Sequence, residues 1–292
     1  MTVRTGIRLD AELWRARETA HARRADALTA AHRVRAARGE RHPVEDFLFA
    51  YYGYRPAVLR RWHPGADVEL RDAARTPRAA WRWYRAGREE GALVVDETAF
   101  LREKAELVAA VERILVGTRS RPGRFGCFGL HEWAMVYRER EHRHPVPLRL
   151  GRAGTDRVVE SHELRCTHHD AFRFFTPEAV PRNRHAPTRA QQAAQEQPGC
   201  LHAGMDVYKW AVKLGPLVPG DVLLDAFELA RDVRAVDMAA SPYDLRAWGV
   251  APVAIETPEG KAEYVRRQRD FAERADALRA RLLDALARAR GD

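Results

Sequence analysis

The 292-residue sequence has no stretch of about 18 consecutive apolar residues, so no membrane-spanning helix is expected. Its first ten residues lack the apolar segment of a secretory leader, and the expected location is the cytoplasm. Cysteine is scarce. Cys127, Cys166 and Cys200 form an odd set with no Cys-x-x-Cys pair. That argues against a disulfide framework and against the common structural zinc modules, and it fits a reducing compartment. The His-Glu-x-x-His signature of helical zinc proteases is also absent. Lysine is nearly missing: only Lys104, Lys209, Lys213 and Lys261 occur, so the formal charge of +9 rests on arginine. A basic balance favours phosphate-bearing partners and makes DNA a candidate. An excess of arginine together with alanine also arises from codon composition alone.

What is present is an ordinary globular composition, 46% apolar and 31% charged, in a chain long enough for one large domain or two small ones. The periodicity predicts an α+β protein, predominantly helical with a small antiparallel sheet. A helix is expected over 10–38, with Asp10 as cap and a seam of Leu13, Ala16, Ala20, Ala27, Ala31 and Val34. Residues 66–80 read as an irregular surface loop. A helix covers 98–116, with Phe100, Leu101, Leu107, Val108, Val111, Ile114 and Leu115 buried. Residues 145–150 and 157–166 alternate around Gly151 and Gly154, which predicts a β-hairpin that carries the sheet. Further helices are expected over 201–214, 221–231 and 257–290. The last repeats apolar residues at spacings of three and four and lies against the body or a second chain. The organisation expected is an N-terminal helix (1–40), a main domain with the site (41–256) and a long C-terminal helix (257–292).

Polar chemistry concentrates between Phe125 and Asp244. Leu130-His131 and Leu201-His202 are each followed, four residues on, by Val-Tyr and a basic residue, and each follows a Gly-Cys pair. On helices, His131 with Arg138 and His202 with Lys209 would share faces, and the two copies would oppose one another across a cleft. His42 with Asp46, and His202 with Asp206, stand four apart, adjacent on a helix face. Such a pair orients an imidazole, co-ligates a metal or simply stabilises the helix. Cys166, His168, His169 and Asp170 crowd into five positions after an expected strand. A metal, if bound, would draw on His42, Asp46, His131, His168, His169, Asp170, His202 and Asp206, a nitrogen and oxygen set that suits zinc, iron or manganese. Asp221, Asp225, Glu228 and Asp232 share a face and read as a solvated stripe, whereas Asp237 and Asp244 bracket a rigid turn that could hold a carboxylate near a pocket.

Several blocks carry a family resemblance. They are Gly126-Cys-Phe-Gly-Leu-His-Glu-Trp-Ala-Met-Val-Tyr137, Arg165-Cys-Thr-His-His-Asp-Ala-Phe-Arg-Phe-Phe-Thr-Pro177 and Gly199-Cys-Leu-His-Ala-Gly-Met-Asp-Val-Tyr-Lys-Trp210. With His42-Pro-Val-Glu-Asp-Phe47, Arg60-Arg-Trp-His-Pro-Gly65 and Asp237-Met-Ala-Ala-Ser-Pro-Tyr-Asp244, the chain resembles a bacterial family commonly labelled 3-methyladenine DNA glycosylase, from His42 to Phe271. The helix–hairpin–helix pattern of other glycosylases is not reproduced. Val218-Pro219-Gly220 lacks the second hairpin glycine, Asp221 would repel phosphate, and Asp237 follows too early.

The resemblance implies a DNA-repair hydrolase that removes an alkylated purine. Catalysis would come from His131, Glu132, His169, Asp170, His202 and Asp206. Trp133, Tyr137, Arg138, Tyr208, Lys209 and Trp210 would hold the substrate, and the Trp81-Arg-Trp-Tyr84 run would supply further aromatics. The residues themselves also admit a metal-dependent hydrolase or oxygenase acting on a small molecule, with metal ligands among His42, Asp46, His168, His169, His202 and Asp206. A third reading is a helical binding protein whose histidines are satisfied core groups.

Overall fold

The computed structural model describes residues 6–139 and 146–291. Strand β1 (Ile7–Leu9) leads into the long helix α1 (Ala11–Ala37) and the short helices α2 (Phe47–Tyr51) and α3 (Pro56–Arg60). Strands β2 (Val68–Leu70), β3 (Tyr84–Ala86) and β4 (Leu93–Val95) follow, then α4 (Glu97–Glu103) and α5 (Ala105–Arg119). The middle of the chain carries short helices in long connections: α6 (Leu130–Ala134), α7 (Gly151–Glu160), α8 (His169–Phe172) and α9 (Gln192–Gln195). Three long helices close the chain, α10 (Leu201–Leu214), α11 (Gly220–Ala239) and α12 (Pro258–Arg290).

The expected class, predominantly helical α+β with one small sheet, is what the chain adopts, but the sheet lies elsewhere and is mixed. Its order is β1-β2-β4-β3, with β1 parallel to β2 and both other pairs antiparallel. The hairpin expected over 145–166 is replaced by helix α7. Buried Gly154, Thr155, Val158 and Val159 recur at helical spacing, and Thr155 Oγ1 donates to Gly151 O at 2.8 Å. Of that stretch, residues 140–145 lie outside the described residues. The loop expected over 66–80 instead holds β2, all three of whose residues are buried. Three residues are too few to display a period, and the left-handed Gly65 and Asp67 before them read as a turn.

Helix α1 covers its expected span with a different buried face. Trp14, His21, Ala25 and Thr29 are buried, whereas Leu13 and Val34 are about half exposed, at 45% and 51%. Hydrogen-bonding groups settle the phase: Trp14 Nε1 donates to Arg71 O at 2.9 Å, and His21 Nε2 lies 2.7 Å from Leu59 O. Asp10 makes no side-chain cap and pairs with Arg71 at 2.8 Å. The helix expected over 98–116 is two helices broken at Lys104, and Asp96 caps the first by accepting from Ala99 N at 3.1 Å. Helix α12 begins where expected, with Thr257 Oγ1 accepting from Gly260 N at 3.1 Å.

Among the described residues, the larger of two hydrophobic clusters runs from Trp14 of α1 to Leu278, Leu282 and Leu286 of α12, and a smaller one gathers Val44, Val136, Val146, Met238, Tyr243 and Leu245. The axis of the larger is α10, in which 11 of 14 residues are buried. It packs lengthwise on α11 and α12. A helix enclosed in this way cannot give its polar side chains to water, so His202 and Asp206 must find protein partners.

Candidate metal centre

Four short or buried segments converge on α10. The loop before α6 turns through two consecutive left-handed residues, Phe128 (φ 48°) and Gly129 (φ 70°). That conformation costs a non-glycine residue about 1 kcal/mol. The turn aims His131 and Glu132 inward from α6. His168 arrives just before α8, Glu196 just after α9, and Arg234 and Asp237 from the buried face of α11. His131, Glu132, His168, Glu196, His202, Asp206, Arg234 and Asp237 are all between 1% and 6% exposed.

They form one continuous network. His131 Nε2 is 2.8 Å from Asp237 Oδ1, and Arg234 Nη1 donates to Asp237 Oδ2 at 2.9 Å and to Glu132 Oε1 at 2.8 Å. The His131 ring meets that of His202 edge-on, with centroids 4.5 Å apart, and His202 stacks on His168 at 5.2 Å. His168 Nε2 then lies 3.2 Å from Glu196 Oε1 and 3.5 Å from Asp206 Oδ2. Asp206 also accepts from Tyr52 Oη at 2.7 Å and from Lys209 Nζ. Ligand atoms of His131, His202 and Asp237 all lie within 4.8 Å of one another, and so do those of His168, Glu196 and Asp206. His168 Nε2 is ion-paired with both carboxylates, but neither of its ring nitrogens makes a hydrogen bond of good geometry.

The electrostatics follow from burial opposed by pairing. Burial acts to lower the pKa of His131, but Asp237 and Cys127 hold it well above 6.5. For His168 burial is likewise outweighed by Asp206 and Glu196, which bring it to about 9. For His202 the nearby Asp237 and Asp206 do not outweigh the opposing effects. Burial, with His131 and then His168 beside it, pushes it well below 6.5 and leaves it neutral. Against the burial that would raise them, Asp206 is held far below the usual carboxylate range by Lys209 and His168, and Asp237 by His131 and Arg234. His131 and His168 are thus held as cations, and with Lys209 and Arg234 they stand against the carboxyl groups of Glu132, Glu196, Asp206 and Asp237. Burial pushes the thiols of Cys166 and Cys200 up, so they stay protonated and are poor ligands.

Of the residues expected from the sequence, His131, His168, His202 and Asp206 meet here, with Glu132 and Lys209 as their neighbours. The i, i+4 pair on α10 is divided: His202 joins Asp237, whereas Asp206 joins His168. The expected Glu132 carboxylate is tied to Arg234. His169 belongs to neither triad. It is half-buried with Nδ1 3.4 Å from Asp170, while Asp170 also faces Arg189 at 3.2 Å and Lys209 at 3.8 Å. His42 and Asp46 do not join the centre. The His42 ring Nδ1 accepts from Val44 N and Glu45 N, and Asp46 pairs with Arg35 and His32, which brings its pKa to about 2 against its burial.

The expected shared face of His131 and Arg138 fails because α6 ends at Ala134. Arg138 (φ 57°) pairs with Glu160 at 2.8 Å, and Tyr137 Oη donates to the same carboxylate at 3.1 Å. Trp133 and Tyr208 are core residues, the first donating to Ala240 O at 2.8 Å and the second edge-on to Tyr52 and Tyr54. Trp210 is buried beneath Lys209 Nζ, 4.3 Å from its ring centroid. The expected acidic stripe is solvated and paired, Asp221 and Asp225 with Arg281, Glu228 with Arg24 and Asp232 with Arg274.

The sequence reading missed Glu196, Arg234 and Tyr52, and assigned Asp237 to a turn rather than a helix. For Arg234 and Asp237 a signal existed. The apolar period of α11 continues through Ala230, Val233, Val236 and Met238, which carries the helix to Ala239. No family model matches the chain, and neither a curated protein nor a solved structure matches it.

Proposed function

We propose that the protein is a metal-dependent enzyme acting on a small molecule, a hydrolase or an oxygenase, with zinc, iron or manganese held by the triads His168–Glu196–Asp206 and His131–His202–Asp237. The observation that carries this reading is the setting of His168, a buried imidazole against two carboxylates with no hydrogen bond to either nitrogen. A buried polar group without a partner is costly, and a bound cation removes that cost. Two ligands about 2.1 Å from one ion, subtending about 90–109°, lie about 3.0–3.4 Å apart. His168, 3.2 and 3.5 Å from its carboxylates, is close to that spacing, whereas His131, hydrogen-bonded to Asp237 at 2.8 Å, would have to draw back slightly to admit an ion.

A divalent ion in either triad displaces one imidazolium proton, from His131 or His168, and so adds one net positive charge there. His202 is neutral and so already in the ligating form. Arg234, Tyr52 and Lys209 orient the carboxylates from behind, the usual arrangement around a metal site. A metal held this way lowers the pKa of bound water or polarises a substrate oxygen.

Elemental analysis of protein purified without chelators is expected to find one metal ion per occupied triad. His168→Ala and His202→Ala are each expected to lose metal from their triad while remaining folded by circular dichroism. Metal-free protein from metal-supplemented culture would sink the proposal.

A second reading, the DNA glycosylase implied by the resemblance, is favoured by a different feature. A groove of about 650 Å³ is lined by Tyr54, Trp81 and Trp83 with Arg55, Arg61, Lys104 and Lys213, and no carboxylate lines it among the described residues. Aromatic faces between cations suit an unstacked base on a phosphate backbone. In this reading Asp170 is the working carboxylate, because it keeps some solvent access whereas Glu132 is buried against Arg234. It predicts release of free 3-methyladenine from methylated duplex DNA, assayed by chromatography at low salt. No release under those conditions counts against it.

A further inference from the structure

We infer that the ligand entering the centre carries a carboxylate or phosphate group, received by Arg124, Arg165 and Arg184 in a cavity that opens beside Cys127. That this anion is a substrate rests on the metal-centre reading; that an anion binds does not.

The cavity, of about 430 Å³, is lined by these three arginines together with Phe125, Cys127 and His185. Through Arg124, Thr167, His185 and Gln197 it is continuous with a second cavity of about 300 Å³. No carboxylate lines either one among the described residues. Its floor adjoins the centre at three points. Thr167 immediately precedes His168, Gln197 immediately follows Glu196, and Cys127 Sγ is 3.8 Å from His131 Nδ1.

The cations exceed their partners. Arg124 makes no ion pair among the described residues, whereas Arg165 and Arg184 share one carboxylate, Glu163, at 2.5 and 3.6 Å. Burial, then Arg124 and Arg184, lower the pKa of His185, as expected in a hollow with uncompensated positive charge. The frame is rigid. Gln197 Oε1 accepts from Arg124 N at 2.7 Å and from Gly199 N at 2.8 Å, and a Cβ on Gly199 would stand 2.4 Å from Arg124 O. These contacts fix the backbone that carries Arg124, and guanidinium forks match the planar oxygen pair of a carboxylate or two oxygens of a phosphate. The joined volume holds a small organic molecule rather than a lone ion.

The test is isothermal titration of sodium phosphate and of sodium succinate into the full-length protein at fixed ionic strength, both as purified and after chelator treatment. At least one probe is expected to bind at one site per chain in both states. Arg124→Ala combined with Arg184→Ala is expected to weaken binding at least about tenfold, the usual size of a charge-assisted contact. Both side chains are exposed, so the variant is expected to fold. Arg55→Ala, which lines a different cavity, is expected to leave binding unchanged. Binding of phosphate alone identifies a phosphate ester as the ligand class, and of succinate alone a carboxylate. Binding of neither probe, or a double variant that binds as tightly as the parent, overturns the anion site. Because the chelated protein is titrated too, a failed metal assignment leaves this result readable, and a metal-loaded protein that binds neither probe defeats the anion site alone.

Discussion

Asp237→Ala is expected to lower the stability of the metal-free protein by about 3–5 kcal/mol, the usual cost of removing one partner from a buried ion pair. Asp237 is 2% exposed and neutralises two cations at once, His131 through Oδ1 and Arg234 through Oδ2. Without it Arg234 keeps only Glu132 among the described residues, and the His131 imidazolium loses its paired carboxylate in the middle of the core. Urea denaturation of chelator-treated protein measures the effect. Asp244→Ala is the contrast. Its partner Arg246 is largely exposed, and the denaturation midpoint is expected to stay close to that of the parent. Equal denaturation midpoints for Asp237→Ala and the parent would show that the network contributes nothing to stability and that its charges are carried by other means.

His168 makes the metal-free fold sensitive to alkali. Its pKa rises from 6.5 to about 9 on folding, because Asp206 and Glu196 outweigh the cost of burial. A group whose pKa is raised in the folded state stabilises that state fully below its unfolded pKa and ceases to do so as pH climbs through its folded one. Stability is therefore expected to fall between about pH 6.5 and pH 9, by roughly 3 kcal/mol from this group. His131 adds to the loss at higher pH, because its pKa is raised as well. Metal affinity runs the opposite way over the same range, since each ligating imidazole must first release its proton. Denaturation midpoints in chelator at pH 6.5, 8 and 9.5, repeated for His168→Gln, separate the two effects. A parent curve flat across that interval, or one that His168→Gln leaves unaltered, contradicts the assigned ionisation.

The pairing of His202 with Asp206 illustrates how much of the centre was legible. Four-residue spacing on an evident helix placed both on α10, and that helix's nearly unbroken apolar character implied burial. Spacing alone could not show that the two would turn to different partners. The same spacing in His42 and Asp46 led elsewhere, because both precede α2 in a turn where the His42 ring accepts from Val44 N and Glu45 N and Asp46 pairs with Arg35 and His32. His168 and His169 are adjacent in sequence, and only the entry angle of α8 decides that the first is enclosed and the second half-buried. Glu196 sits in a polar connection that resembles any solvated loop. It is buried because α9 packs beneath α5.

Sequence alone determined the helical class, the spans of α10 and α12, and the concentration of imidazole and carboxylate groups in the middle of the chain. These are local consequences of apolar period, capping residues and glycine placement, and they need no knowledge of distant segments. Tertiary structure decided which face of α1 is buried, where the sheet lies, and which ionisable groups end within 4.8 Å of one another. Those outcomes depend on desolvation. A carboxylate or imidazole far from others in sequence has no reason to seek them until the closing of α10, α11 and α12 removes water from all of them together.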